Sequence, residues 1–157
     1  MYLPHRDIHR DDKPSTKLRI VFDASAKVKG ELSLNDVLHK GPCLTPVLFD
    51  MLLRFRTYPV GLIADIEKAY LQISVTERHR DFLRCLWFKD VFAAVSEVCK
   101  SRFCRVPFGA APSQFLLNGT IKKIASKYEV DPEFVLKIAR GFYVDDLSSG
   151  VKCTQSG

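Results

Sequence analysis

The run Val60-Gly-Leu-Ile-Ala-Asp-Ile66 constrains this chain more than any other stretch. It is apolar apart from one carboxylate, too short for a buried helix, and lacks the polar alternation of a strand with one wet face. It reads as a core strand that delivers Asp65 at its C-terminal end, so the chain must supply partner strands and covering helices. Phe142-Tyr-Val144 is equally apolar, turns at Asp145-Asp146 and returns through Leu147 to Val151. Lys17–Asp23 also reads as a strand, as do Phe82–Phe88, Val91–Val98 and Arg102–Val106, the first two of these parted by a Lys89-Asp90 turn.

Helical spacing follows from Leu44, through Val47, Leu48, Met51, Leu52 and Phe55, with Thr45-Pro46 as the start and Pro59 as the stop. A second helix is predicted over Pro112–Tyr128, with Leu117, Ile121, Ile124, Ala125 and Tyr128 on one face and Lys122, Lys123 and Lys127 on the other. Asp131-Pro132-Glu133 opens a third, which places Phe134, Val135 and Ile138 inside and ends at Gly141. The first sixteen residues are polar and read as an exposed, poorly organised N-terminal segment, and Ala24–Pro42 reads as loop. The fold class is α+β, a sheet with helices packed on one face.

At 157 residues and 17.8 kDa, with 46% hydrophobic and 27% charged residues, the composition is that of one globular domain. Lys and Arg outnumber Asp and Glu by 24 to 18, and the resulting +6 charge favours polyanionic partners. No run approaches the ~18 apolar residues of a membrane span. Met1-Tyr-Leu-Pro-His5 is not a signal peptide. Cys43, Cys85, Cys99, Cys104 and Cys153 are scattered and odd in number, which suits reduced thiols in a cytoplasmic or nuclear protein that is not secreted. Without CxxC spacing they read as buried or idle thiols, not zinc ligands.

Two places set their acids apart. Asp65 ends one apolar strand, and Asp145 and Asp146 follow another. Asp-Asp is a good turn dipeptide, and Asp65 could be a strand-end cap. If the two strands lie side by side and buried, however, three carboxylates converge within a few ångströms. Hard oxygen ligands of that kind suit Mg²⁺. A pair of such ions roughly 4 Å apart is the arrangement that activates an attacking hydroxyl and stabilises a leaving pyrophosphate. Tyr70, five residues after Asp65, could press on the sugar C2′ of an incoming nucleotide; the alternative is a core aromatic.

These residues resemble a family. Leu18-Arg-Ile-Val-Phe-Asp23 with Ala24-Ser-Ala-Lys27, then Ser33-Leu-Asn-Asp36, are similar to the fingers block of the reverse transcriptase domain of LTR retrotransposons, most closely the BEL/Pao type. Gly41-Pro-Cys-Leu-Thr-Pro46 resembles the linker into the palm, Asp65-Ile-Glu-Lys-Ala-Tyr70 the first catalytic motif, and Phe142-Tyr-Val-Asp-Asp146 the signature hairpin. Phe103-Cys-Arg-Val-Pro-Phe-Gly109, leading to Phe115-Leu-Leu-Asn118, resembles the motif supporting template and incoming base. All blocks occur in the family's order.

The resemblance implies a right-hand polymerase fold with a ferredoxin-like palm sheet: residues 1–59 as fingers and linker helix, 60–157 mostly palm with a fingers insertion around 76–106. It implies an RNA-directed DNA polymerase, joining dNTPs to a primer 3′-hydroxyl on an RNA or DNA template with two Mg²⁺ ions, or Mn²⁺ in their place. Asp65 and Asp145 would be metal ligands, Asp146 the third carboxylate, and the Ile66 carbonyl a further ligand. Tyr70 would be the sugar gate, and Arg19 would meet the base and triphosphate. Phe108 and Gly109 would line the nucleotide pocket. Lys13 and Lys17 compete for the fingers lysine. Gln114 stands where many relatives carry proline, and Ala110-Ala-Pro112 replaces a more polar stretch.

The chain ends at Gly157, soon after Asp146, before the family's primer grip and thumb, so a partial domain of a longer Pol polyprotein in a retroelement particle is expected. The alternative is a catalytically inactive, nucleic-acid-binding remnant of a decayed element. The sequence leaves the oligomeric state open and predicts no membrane partner.

Overall fold

The structure, a computed structural model, describes residues 1–9, 18–93, 95–127 and 132–151. In chain order the elements are β1 (His5–His9), β2 (Leu18–Phe22), α1 (Leu34–Val37), α2 (Leu48–Phe55) and β3 (Val60–Asp65). A 3₁₀ turn (Ala69–Gln72) and α3 (Glu77–Arg80) follow, then β4 (Arg84–Phe88), β5 (Val98–Arg102), α4 (Ser113–Lys127), α5 (Pro132–Gly141), β6 (Phe142–Tyr143) and β7 (Asp146–Val151). The class is α+β. The elements form two compact units, each from two stretches: Met1–Lys40 with Tyr70–Ser113, and Gly41–Ala69 with Gln114–Gly157. α2 groups with β3, and Tyr70–Ser113, which contains the segment 76–106, groups with the N-terminal strands.

In the first unit β1 pairs antiparallel with β2, His5 opposite Phe22 and His9 opposite Leu18. The expectation of a poorly organised N-terminal segment is corrected for His5–His9. A backbone ladder needs no apolar side chains, and all five β1 residues are exposed while their peptides pair. The His5 ring also lies 4.9 Å from Trp87 and 5.3 Å from Phe22. Within the stretch read as loop, α1 is held by a capping box: the Asp36 N–H donates to the Ser33 hydroxyl and the Ser33 N–H to the Asp36 carboxylate.

Where three strands were expected after Phe82, two form. The Lys89 N–H donates to the Glu97 carbonyl at 2.9 Å and closes a β4–β5 hairpin, and the described residues between them are outside the ladder. There the Asp90 N–H donates to Ser96 Oγ and the Phe92 N–H to the Asp90 carboxylate, each at 2.9 Å. These local bonds compete with the ladder that the β-branched residues favour. Of the segment read as the last strand, Arg102 ends β5, and Arg105 makes an isolated bridge to Ser74. The core of this unit is small: Leu3, Ala24 and Leu34, with Phe22, Leu38, Leu83 and Phe103 packed against them.

The second unit is built on a three-stranded antiparallel sheet in the order β3-β7-β6, with α2 and α5 against β7. Pairing runs from Val60 opposite Val151 to Asp65 opposite Asp146, and β6 places Tyr143 opposite Asp146. Glycine is required at position 150, because a Cβ there would lie inside the Tyr58 ring. One expectation is overturned. β3, read as a buried core strand, is exposed at all six positions, Ile63 by 76%. Among the described residues it is an edge strand with a neighbour on one side only.

α4 buries Leu117 and Ile121 as its spacing predicts, but Ile124 is half exposed, and so is Phe134 on α5, which was expected inside. Tyr128 and Asp131 lie outside the described residues. Among those residues no helix is long and apolar enough to cross a membrane.

Candidate functional site

The register that ends β3 and begins β7 sets Asp65 and Asp146 directly opposite each other. Opposed residues in an antiparallel pair share a face, with Cβ atoms about 4.5–5.5 Å apart, and like charges there are destabilising unless water or a cation offsets them. The pairing continues one step further, because the Ile66 N–H donates to the Asp145 carbonyl at 3.2 Å. Asp65, Ile66, Asp145 and Asp146 therefore meet at one end of the sheet. Asp65 and Asp146 are exposed, and Asp145 is half-buried.

The hairpin differs from the Asp-Asp turn that the sequence suggests. Tyr143 and Asp146 are the flanking pair, so the central residues of the two-residue loop are Val144 and Asp145. Val144 has φ +61°, at a position that ordinarily takes glycine. Such a conformation costs a β-branched residue on the order of 1–3 kcal/mol, and strain of this kind clusters at functional turns.

Among the described residues no three His, Cys, Asp or Glu side chains are grouped closely enough to hold a metal ion. Asp145 sits in the turn and not in the ladder, so the pleat does not aim its side chain as it aims those of Asp65 and Asp146. What stands together is a facing pair with a third acid beside it. Mg²⁺ is usually held by one or two carboxylates and completes its shell with water and substrate phosphates, so this donor set fits it. The Ile66 carbonyl accepts from the Ala69 N–H at 3.2 Å and keeps a second lone pair.

The other expected site residues lie in the first unit. The half-buried Tyr70 ring meets Phe108 edge to face, with centroids 4.8 Å apart at 65°. Phe108 is itself 52% exposed, so this is a surface aromatic pair and not part of a closed core. Gly109 has φ +85°, and a Cβ on it would come 3.3 Å from the Phe22 carbonyl oxygen, so the close approach of backbone to backbone selects glycine here. Arg19 is exposed on β2 opposite Ile8. Lys13 and Lys17, with Arg10, lie outside the described residues.

Asn35 is a positioning residue to which sequence reasoning gave no role. Its amide donates to the Gly109 carbonyl and to Ser25 Oγ, both at 2.9 Å, and its oxygen accepts from the Ala111 N–H at 2.7 Å. One side chain thus ties down both sides of the Gly109 turn. The signal was available in part, since an amide inside Ser33-Leu-Asn-Asp36 can satisfy peptides that have no ladder.

Of the three lysines assigned to one helix face, Lys122 donates to the Leu44 carbonyl at 3.1 Å, while Lys123 and Lys127 are exposed. Cys43, Cys85, Cys99 and Cys104 are free thiols, and burial, with Cys99 nearby, pushes the Cys85 thiol up from its ordinary value. Cys153 lies outside the described residues. Compared with known families and with curated proteins, the chain matches no family model and no curated sequence.

Proposed function

We propose that this chain is a reverse transcriptase domain of the BEL/Pao type, an RNA-directed DNA polymerase that extends a primer with dNTPs, the second unit acting as palm and the first as fingers. The observation that carries this reading is the juxtaposition at the sheet end: Asp65 faces Asp146, and Ile66 is bonded to Asp145 beside a strained two-residue turn. It is supported by the order of the sequence blocks and by the +6 charge, which suits a nucleic-acid partner.

In this reading Asp65 and Asp146, facing each other, with Asp145 and the Ile66 carbonyl beside them, would hold magnesium, whose shell water and substrate phosphates would complete. When bound, the metal supplies a lowered pKa at the primer 3′-hydroxyl and neutralises charge developing on the triphosphate. The chain's own residues do the rest. Arg19 contributes a guanidinium to the triphosphate, a group suited to bidentate phosphate recognition. The Tyr70 ring, held against Phe108, excludes a ribose 2′-hydroxyl by its bulk. Gly109, lacking a side chain, lets the nucleotide approach the backbone closely.

Primer extension on an RNA template with Mg²⁺ or Mn²⁺ tests the proposal. Incorporation by the chain should fall about 100-fold or more in Asp65→Asn and Asp146→Asn. Tyr70→Val should admit ribonucleotides that the parent rejects. If neither this chain nor a longer polyprotein containing it incorporates nucleotides, the polymerase reading fails. Activity confined to the longer protein leaves this chain as its nucleic-acid-binding portion.

A further inference from the structure

Away from the carboxylates, α2 and α5 enclose a cavity of about 210 Å³ over the middle of β7. Ser148 and Ser149 form its floor, paired with Ile63 and Leu62 further along the ladder from the Asp65–Asp146 end. Arg54 reaches it from α2, Lys137 and Arg140 from α5, and Tyr58 from the segment after α2. The single carboxylate in the lining, Glu133, is engaged by Lys137 at 3.0 Å. Arg54 donates to the carbonyl of Arg140 at 3.4 Å, which brings two guanidinium-bearing residues side by side. Among the described residues neither arginine has a carboxylate within ion-pair distance.

The hydroxyls add to this. Tyr58, Ser148 and Ser149 are half-buried, and among the described residues their hydroxyls make no hydrogen bond. The Tyr58 ring is fixed in place by its fit on Gly150. The cavity therefore presents the two arginines beside a Lys137–Glu133 ion pair, together with the Tyr58 hydroxyl and that of one of the two serines, since consecutive strand residues face opposite sides of a sheet. In a cavity volume of this kind one water needs about 10–15 Å³, so there is room for a small anion with accompanying waters. Planar guanidinium forks and hydroxyl donors are the groups that bind a tetrahedral oxyanion by charge-assisted hydrogen bonds.

We propose that this cavity between α2, α5 and β7 is a phosphate site, filled by a phosphodiester group of a nucleic-acid strand or by free inorganic phosphate. It does not rest on the polymerase reading, whose residues it does not include.

Equilibrium dialysis of the full chain against inorganic phosphate tests it, with competition by a short single-stranded DNA oligonucleotide as the second arm. One saturable site is expected. Arg54→Gln and Arg140→Gln should each weaken it roughly ten- to hundredfold, as loss of a charge-assisted hydrogen bond does. Tyr58→Phe keeps the ring on Gly150 and should weaken it roughly two- to tenfold. Asp146→Asn should leave it unchanged, which separates this site from the fate of the polymerase proposal. Oligonucleotide binding that weakens with the same variants identifies a phosphodiester as the occupant, and oligonucleotide binding that they leave intact identifies free phosphate. No saturable phosphate site, or equal affinity in all variants, overturns the proposal. Should circular dichroism show an arginine variant unfolded, Tyr58→Phe decides alone, and unchanged affinity overturns it.

Discussion

The Gly109 turn of the first unit and the carboxylate end of the sheet in the second are positioned by opposite means. Around Gly109 no strand or helix fixes the backbone, and the side chain of Asn35 does so with three hydrogen bonds. Nearby, α1 is fixed by the Ser33–Asp36 capping box and the Lys27–Asp36 pair at 2.8 Å. At the sheet end the backbone register fixes everything: Asp65 faces Asp146 because Val60 faces Val151. Ring-on-glycine contacts, Tyr58 on Gly150 and Phe55 on Gly61, seat the segment around α2 against that sheet. One site depends on a few polar atoms and the other on the shape of a whole ladder, so the two should fail differently.

The largest expected effect is on the ladder. Gly150→Ala drives a Cβ into the Tyr58 ring, and overpacking of this kind costs on the order of 1–3 kcal/mol, at the top of that range where a ring must leave its seat. Denaturant unfolding should show it, together with faster hydrogen exchange along β3 and β7. An unchanged midpoint would show that Tyr58 does not set the register.

Asn35→Ala should come next. It leaves the Gly109 carbonyl and the Ala111 N–H without their partner, at a cost of about 1–3 kcal/mol. Exchange should quicken at Ala111 while β3 and β7 keep their protection. If both regions loosen together, the contrast between them is wrong.

The smallest effect is a dependence on acid. The Asp36 carboxyl is held down from 3.8 to about 2, first by the hydrogen bond from Lys27 and then by the Ser33 backbone and hydroxyl. A depressed carboxylate contributes stability that is complete above its unfolded value and is lost as pH falls through the folded one. The capping-box region should therefore loosen between about pH 4 and pH 2, and Asp36→Asn should flatten that dependence. Equal pH profiles for the parent and the variant would remove this role.

Much of the fold was legible where pattern and backbone agree. β2, β3, α4 and the β6–β7 hairpin fall where strand runs and helical spacing put them, because their apolar periodicity is local. The failures share a different cause. β1 carries no apolar residue but Ile8, so no apolar periodicity, and exists through its partner's backbone. The Val91–Val98 run has strand-like residues, but the Asp90 carboxylate captures the Phe92 N–H and Ser96 Oγ the N–H of Asp90 just before the run, and Phe92 and Val95 are more than nine-tenths exposed. At the candidate site the identity of the acids was readable, while Asn35 and the exposure of β3 were not.

By itself the sequence determined the mixed α and β class, the two apolar strands that end in acids, and the Phe103–Gly109 block that closes on a glycine. Only the tertiary structure decided that Asp146 is the residue opposite Asp65, that Val144 carries the positive φ, and that arginines from α2 and α5 line one cavity with β7 serines. The physical reason is that composition and periodicity fix what a segment can become. Register and helix docking depend on residues far apart in the chain, and a shift of one residue in that register would send every side chain of a strand to the other face.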